Sequence, residues 1–249
     1  MDQIRFLALI GLLVAGLFCA GLVAMPIQAH ASRYDDKEVE QGFYKTVFGA
    51  EIKALSWGGQ SKRVKKYVTP VKVWIDNRAQ RNRLNTVRNF VTSLPTSIPG
   101  LQVRMANNRK DANFHIYVVD SSDYVRTVQD EVYNDRSMDV PGQCIVRVLS
   151  RRSGILRSDA VIVSDQGRSV FHRCMVEEIL QGLGPVNDDN SLVHSVFNDE
   201  SSFDYFTQYD RLILNMLYSP HLRPGMTLKQ VKPLTPDLLQ YARKVTGLR

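Results

Sequence analysis

The chain has 249 residues, 44% of them hydrophobic, and a formal net charge of +7. That hydrophobic share is what a globular protein with a real core carries, not a disordered chain, and the length suits one large domain or two small ones. No recognised nucleic-acid-binding motif accompanies the positive charge, so composition gives no support to a nucleic-acid partner.

At the N-terminus, Arg5 precedes an apolar run from Phe6 to Met25, followed by Pro26 and the small-x-small sequence Ala29-His30-Ala31. This pattern predicts a secretory signal peptide over residues 1–31, cleaved after Ala31, and a periplasmic or secreted protein. The run is also long enough, at about 20 residues, to span a bilayer. An uncleaved anchor is therefore the alternative, and the only way this reading attaches the protein to a membrane. Cys19 follows Phe18, where a lipoprotein signal needs a small residue, so no lipid anchor is expected. Export also argues against nucleic acid as a partner.

Residues 32–70 read as a helix and a basic linker. Val39, Phe43 and Val47 recur at helical spacing in "DKEVEQGFYKTVF" (36–48), and "SWGGQSKRVKKY" is a Gly-punctuated, basic connection. Residues 71–184 read as a sheet with helices. "VKVWIDN" (71–77) is a strand. Residues 79–94 form an amphipathic helix with Leu84, Val87, Val91 and Leu94 on one face, ended by Pro95. Strands are predicted at 101–106, 113–120, 144–150 and 159–165, with polar, Asp-rich loops between them. The next helix stops at Gly182, Gly184 and Pro185. Residues 185–249 read as mostly helical, with helices over 207–218 and 236–246, the latter capped by Thr235 and opened by Pro236. The expected class is α+β: one mixed, twisted sheet of about five strands, helices packed on it, and a helical C-terminal part.

Charge and cysteine add two expectations. Residues 61–110 hold twelve Lys or Arg against one acid, Asp76, a basic stretch suited to anionic envelope polymers or simply to solvation. In an oxidising compartment, Cys144 and Cys174 are expected to bond, the alternative being two buried free thiols. Neither belongs to a C-x-x-C pair and His172 is the one nearby histidine, which disfavours zinc on them.

The helix in "FHRCMVEEILQGLGPVNDD" (171–189) carries the functional question. Met175, Val176, Ile179, Leu180 and Leu183 form an apolar stripe; Cys174, Glu177, Glu178 and Gln181 share the opposite side, which an ordinary surface helix shows to water. Spacing suggests a second reading. Zinc peptidases set two imidazoles four residues apart on one helix face with a glutamate beside the first, and the metzincin form adds a glycine and a third ligand. On that spacing the first ligand falls on Glu177, the base on Glu178, the second ligand on Gln181, the turn glycine on Gly184 and the third ligand on Asn187. Only the base and the glycine match. "HSVFND" (194–199) resembles the Met-turn segment, with Phe197 in the methionine's place, and "FTQYDRLILNMLY" (206–218) resembles the closing helix. The chain thus resembles a zincin-like, metzincin-like fold with a degenerate zinc motif. "TVFGAEIK", "VKVWIDN", "CMVEEILQGLGPVND", "SVFND" and "LNMLYSPHLRPGMT" together resemble the bacterial family known as domain of unknown function 2927, which implies a family of exported proteins but no mechanism.

Glutamate and amide side chains suit zinc poorly. No cofactor is therefore expected, although a hard cation such as calcium accepts such oxygens, with Asp188 or Asp189 contributing. Glu177 and Glu178 point about 100° apart on a helix and read as solvated neighbours rather than an acid–base dyad. His172, just before the helix, His194 and His221 read as structural, with His172 or His194 beside Glu178 the first combination to test for a metal. The expected function is binding: a protein or envelope component occupies the cleft a peptidase would use. The alternatives are a hydrolase with Glu178 as base and Glu177 and Gln181 orienting water or metal, or the basic stretch as the working surface.

Overall fold

Residues 33–52 and 63–248 are described by a computed structural model; the expected signal peptide and most of the Gly-punctuated connection lie outside them. The β-forming runs become β1 (Val71–Asn77), β2 (Val103–Met105), β3 (Phe114–Val119), β4 (Cys144–Arg151) and β5 (Gly154–Val163). They make one mixed, twisted sheet in the order β2-β1-β3-β5-β4. β2, β1, β3 and β5 run parallel, and β4 pairs antiparallel with β5.

Sequence explains these places. All six residues of β3, "FHIYVV", are buried, as a strand covered on both faces requires. β4 turns straight into β5, and only an antiparallel partner accepts so short a connection. β4 is left as the sheet's outer strand, its residues half-buried.

Parallel β1 and β2 need a crossover, supplied by α2 (Leu84–Ser97), which buries Val87, Val91 and Leu94. The helix does not stop at Pro95 as expected. Pro95 falls in the last turn, and the Ile98 N–H still closes on the Leu94 carbonyl. Residues expected as a loop form α3 (Ser121–Thr127) and a π-helical turn (Val128–Tyr133), pinned by buried Tyr124, Thr127, Val128 and Val132.

The remaining helices are α1 (Asp36–Ile52), α4 (Arg168–Gln181), α5 (Gln208–Leu217), α6 (Leu228–Val231) and α7 (Thr235–Thr246). α4 packs on β5 and β4, while α5 packs on α1 and α7 to make the helical C-terminal part. A 3₁₀ turn (Lys232–Leu234) runs directly into α7, so Thr235 is its first residue rather than its cap. There it meets the Tyr44 hydroxyl of α1 at 2.7 Å. Val39, Phe43, Val47 and Phe48 anchor α1 in the same core as the sheet. Among the described residues no helix is long and apolar enough to cross a membrane.

Candidate functional site

α4 buries its apolar stripe as its spacing demands: Met175, Val176, Ile179, Leu180 and Leu183 are all in the core. The opposite side corrects the expectation of a solvated face. Glu177, Glu178 and Gln181 are each only 6–7% exposed. Two structures cover them. The Cys144–Cys174 disulfide, with Cα atoms 5.7 Å apart, holds α4 beside the outer strand β4. The connection between α4 and α5 has no helix or strand of its own and returns over the helix. Between them lies an open cleft of about 460 Å³, bordered by Cys144, Ile145 and Val146 and floored by Glu177, Glu178 and Gln181.

Asp188 and Asp199 bring two further carboxylates to this cleft. Oxygens of Glu177, Asp188 and Asp199 lie within 4.8 Å of one another. Arg173 Nε donates to Glu177 at 3.3 Å, and its Nη atoms donate to the carbonyls of Ser201 at 2.7 Å and Asn198 at 3.1 Å. Arg173 reaches Asp199 only at 3.9 Å. The Gln181 amide donates to Asp188 Oδ1 at 2.6 Å. Among the described residues no group hydrogen-bonds the Glu178 carboxyl.

Burial and mutual repulsion set the protonation of these acids. Burial first, then Glu177, Asp188 and Asp199, pushes Glu178 well above the usual carboxylate range. Burial, then Glu177 and Asp199, pushes Asp188 up to about 7 against the Gln181 hydrogen bond. Glu177 is also raised by burial, with Arg173 opposing.

Measured against the metzincin spacing, the positions part company. Asn187, at the third-ligand place, turns away: its Nδ2 and its N–H donate to the Thr46 carbonyl of α1 at 2.9 and 3.2 Å. Gly184 keeps its turn. Its φ is +136°, and a Cβ there would sit 2.1 Å from the Lys65 carbonyl oxygen, so only glycine fits. Phe197 is fully buried and its carbonyl accepts from the Asp189 N–H. Beside it, buried Asp210 accepts from Ser195 Oγ at 2.5 Å, Val196 N–H at 3.2 Å and Thr207 Oγ1 at 2.7 Å, joining the "HSVFND" segment to the start of α5.

The donor set does not fit catalytic zinc. Gln181 spends its amide on Asp188, Asn187 faces α1, among the described residues no imidazole borders the cleft, and its cysteines are disulfide-bonded. His172 lies within α4 rather than before it, against the Phe171 ring at 5.4 Å. His194 sits by Tyr34 and Tyr209, 3.6 Å from Glu38. His221 uses its backbone N–H on Ser219 Oγ at 3.3 Å. What remains is a non-canonical acidic cluster. Sequence reasoning passed over Arg173 and Asp199; the Arg173–Glu177 spacing of four was the available signal for the first, whereas Asp199 is brought in by the fold of a distant loop.

The basic stretch 61–110 is partly spent on structure. Lys65, Lys66 and Arg83 are buried. Arg78 and Arg109 both pair with Glu131, at 2.6 and 2.7 Å.

Comparison with known proteins places the chain. The sequence profile of the family described as protein of unknown function (DUF2927) matches residues 36–237, and the chain belongs to that family. No curated protein matches it.

Proposed function

We propose that this DUF2927-family protein is a catalytically inactive, metallopeptidase-like binding protein of the cell envelope, in which an extended segment of a partner protein occupies the cleft between β4 and α4 and is not cleaved. The carrying observation is Glu178, which stands at the peptidase base position but is buried among three other acids without a hydrogen-bond donor. A general base must be ionised at working pH and face the proton it takes. Burial first, and then the like charge of Glu177, Asp188 and Asp199, disfavours the ionised form of this carboxyl.

The binding half of the reading rests on β4. It is the outer strand of the sheet and borders the cleft through Cys144, Ile145 and Val146, and an extended peptide adds to an outer strand by main-chain hydrogen bonds. Gly184 and the Ser195–Asp210 network support the metallopeptidase likeness of the frame, and the apolar N-terminal run supports export.

A second reading has one observation in its favour. Asp188, at about 7, lies in the range that acid–base chemistry uses, which keeps open a hydrolase employing Glu178 and Asp188. A panel of peptide and ester substrates separates the two. The binding reading expects no turnover above that of heat-denatured protein, whereas turnover abolished by Glu178→Gln establishes the hydrolase.

A further inference from the structure

We propose that a second site, outside the carboxyl ends of the parallel strands, binds a phosphate monoester of a small hydroxyl-bearing compound, with Arg83 and Arg81 holding the phosphate. This site shares no residue with the cleft between β4 and α4 and does not depend on the partner reading.

Topology sets the place. β1, β3 and β5 are parallel neighbours, so Asn77, Val119 and Val163 end at one edge of the sheet. From β1 the chain crosses through α2 to β2 on one side, whereas from β3 it passes through α3 and β4 to β5 on the other. Connections that diverge from adjacent parallel strands leave a crevice outside their carboxyl ends, where open sheets of this kind take their ligands. The protein has an open crevice of about 360 Å³ there, bordered by Arg81 and Arg83 after β1, Asp120 and Ser122 after β3, and Ser164 and Asp165 after β5.

Arg83 independently marks the ligand as an anion. It is only 7% exposed. Its Nε donates to Ser164 Oγ at 3.2 Å and its Nη2 to the Ser164 carbonyl at 3.0 Å, and its guanidinium lies 4.2 Å over the Phe171 ring. These contacts fix the plane of the fork. Among the described residues Nη1 has no hydrogen-bond partner and no carboxylate pairs with Arg83. Burial, then repulsion from Arg81 and Arg168, lowers its pKa. A buried charge without a counter-charge is costly, and an oxyanion supplies one to a fixed fork. The acids at the crevice are already engaged. Asp120 Oδ2 accepts from the Gln80 N–H at 3.0 Å, and Asp165 accepts from the Ser121 N–H at 2.9 Å and hydroxyl at 2.7 Å.

Shape and donors select the class. α4, 14 residues long, begins at the crevice with no side-chain cap and no acid in its first turn. Gly167 before it has nothing within 4 Å of where a Cβ would stand, so a ligand can approach the backbone. Free N–H groups at a helix start add to guanidinium donors around a tetrahedral phosphate. The volume lies in the range of small-molecule pockets, about 300–1,000 Å³, which leaves room for a body whose hydroxyls meet Ser122 and the remaining lone pairs of Asp120.

The test is calorimetric titration of glycerol 3-phosphate into the protein in buffer free of phosphate and sulfate, with glycerol and inorganic phosphate in parallel. One molecule of the monoester per chain is expected, inorganic phosphate binding more weakly and glycerol not at all. Arg83→Lys keeps the charge but loses the fork, and is expected to weaken binding at least about tenfold. Arg81→Gln, at an exposed position, is expected to weaken it at least about fivefold and keeps the test open should Arg83→Lys fail to fold. Arg223→Gln, beside a separate cavity, leaves binding unchanged. The proposal is overturned by absence of monoester binding up to about 10 mM, by wild-type affinity in folded Arg83→Lys or in Arg81→Gln, or by inorganic phosphate binding as tightly as the monoester. Equal weakening by Arg223→Gln also overturns it, since it marks diffuse attraction to a basic protein. No peptide enters the titration, so its failure is separate from failure of the partner reading.

Discussion

Replacing Glu178 by methionine should make the protein more stable, although it removes a charged residue type from a buried helix. Glu178 is 6% exposed and has no hydrogen-bond partner among the described residues. Burial and three neighbouring acids disfavour its charged form, and removing a polar group from bulk water without a compensating protein donor costs about 1–3 kcal/mol. Methionine follows the same unbranched path, and exchanges that conserve volume cost less than about 1.5 kcal/mol in packing. The expected balance is a gain of about 1–2 kcal/mol. For a domain of this size that raises Tm by roughly 2–8 °C. Urea unfolding at pH 7 in chelator, followed by far-UV circular dichroism, reads the difference without any contribution from a bound cation. Glu177→Met is the contrast, because it removes the 3.3 Å contact to Arg173 and should gain little or nothing. A loss of more than about 1 kcal/mol in Glu178→Met would refute the reasoning, since it would show that the carboxyl has partners that stabilise the fold.

Other consequences follow from the same geometry. Asp188, raised to about 7 by burial and then by Glu177 and Asp199, keeps in the folded protein a proton that the unfolded chain releases above its ordinary carboxylate range, so its presence lowers stability progressively between about pH 4 and pH 7. In chelator, Asp188→Asn should therefore stabilise more at pH 7.5 than at pH 4; equal effects at both pH values contradict the shift. Gly184→Ala places a Cβ against the Lys65 carbonyl at a φ of +136°, and should cost at least about 1–3 kcal/mol in urea unfolding; a neutral result contradicts the close approach. Removing the disulfide with Cys144→Ser and Cys174→Ser together, across a sequence separation of 30, should cost about 3–4 kcal/mol by loop-closure entropy, read as a lower unfolding midpoint under oxidising conditions. Asp210→Ala strands the buried Ser195 and Thr207 donors and should lower stability by about 1–3 kcal/mol.

The sheet was largely legible because β1 and β3 carry β-branched and aromatic runs whose period is local. β5 began earlier than its apolar pattern suggested. Arg157, Ser158 and Asp159 interrupt the alternation, yet Asp159 is held by His115 and Arg157 at 2.8 Å each, and Ser158 by Tyr67 at 2.9 Å and by the Gly182 carbonyl at 2.7 Å. Polar residues satisfied across a sheet leave no trace in hydropathy. The same holds for α3, whose "SSDYVRT" reads as loop until Tyr124 is seen buried.

At the site, spacing along α4 correctly grouped Glu177, Glu178 and Gln181 on one side. Their burial was not legible, because the covering chain lies beyond Gly184 and its return is directed by Arg173 donating to Asn198 and Ser201. A helix pattern reports which residues share a face, not what a distant loop lays over it. Asn187 illustrates the converse. Its sequence position fits a ligand, but a hydrogen bond to α1 claims its side chain.

The central claim is that the cleft between β4 and α4 binds without cutting. Incubation of the protein with a degenerate peptide library, once in chelator and once in calcium, with mass spectrometry of retained and cleaved peptides, tests it most directly. The account predicts extended peptides retained intact by the native protein and lost from Val146→Arg, which fills the cleft beside β4. Cleavage products that appear in either condition and vanish with Glu178→Gln would contradict it.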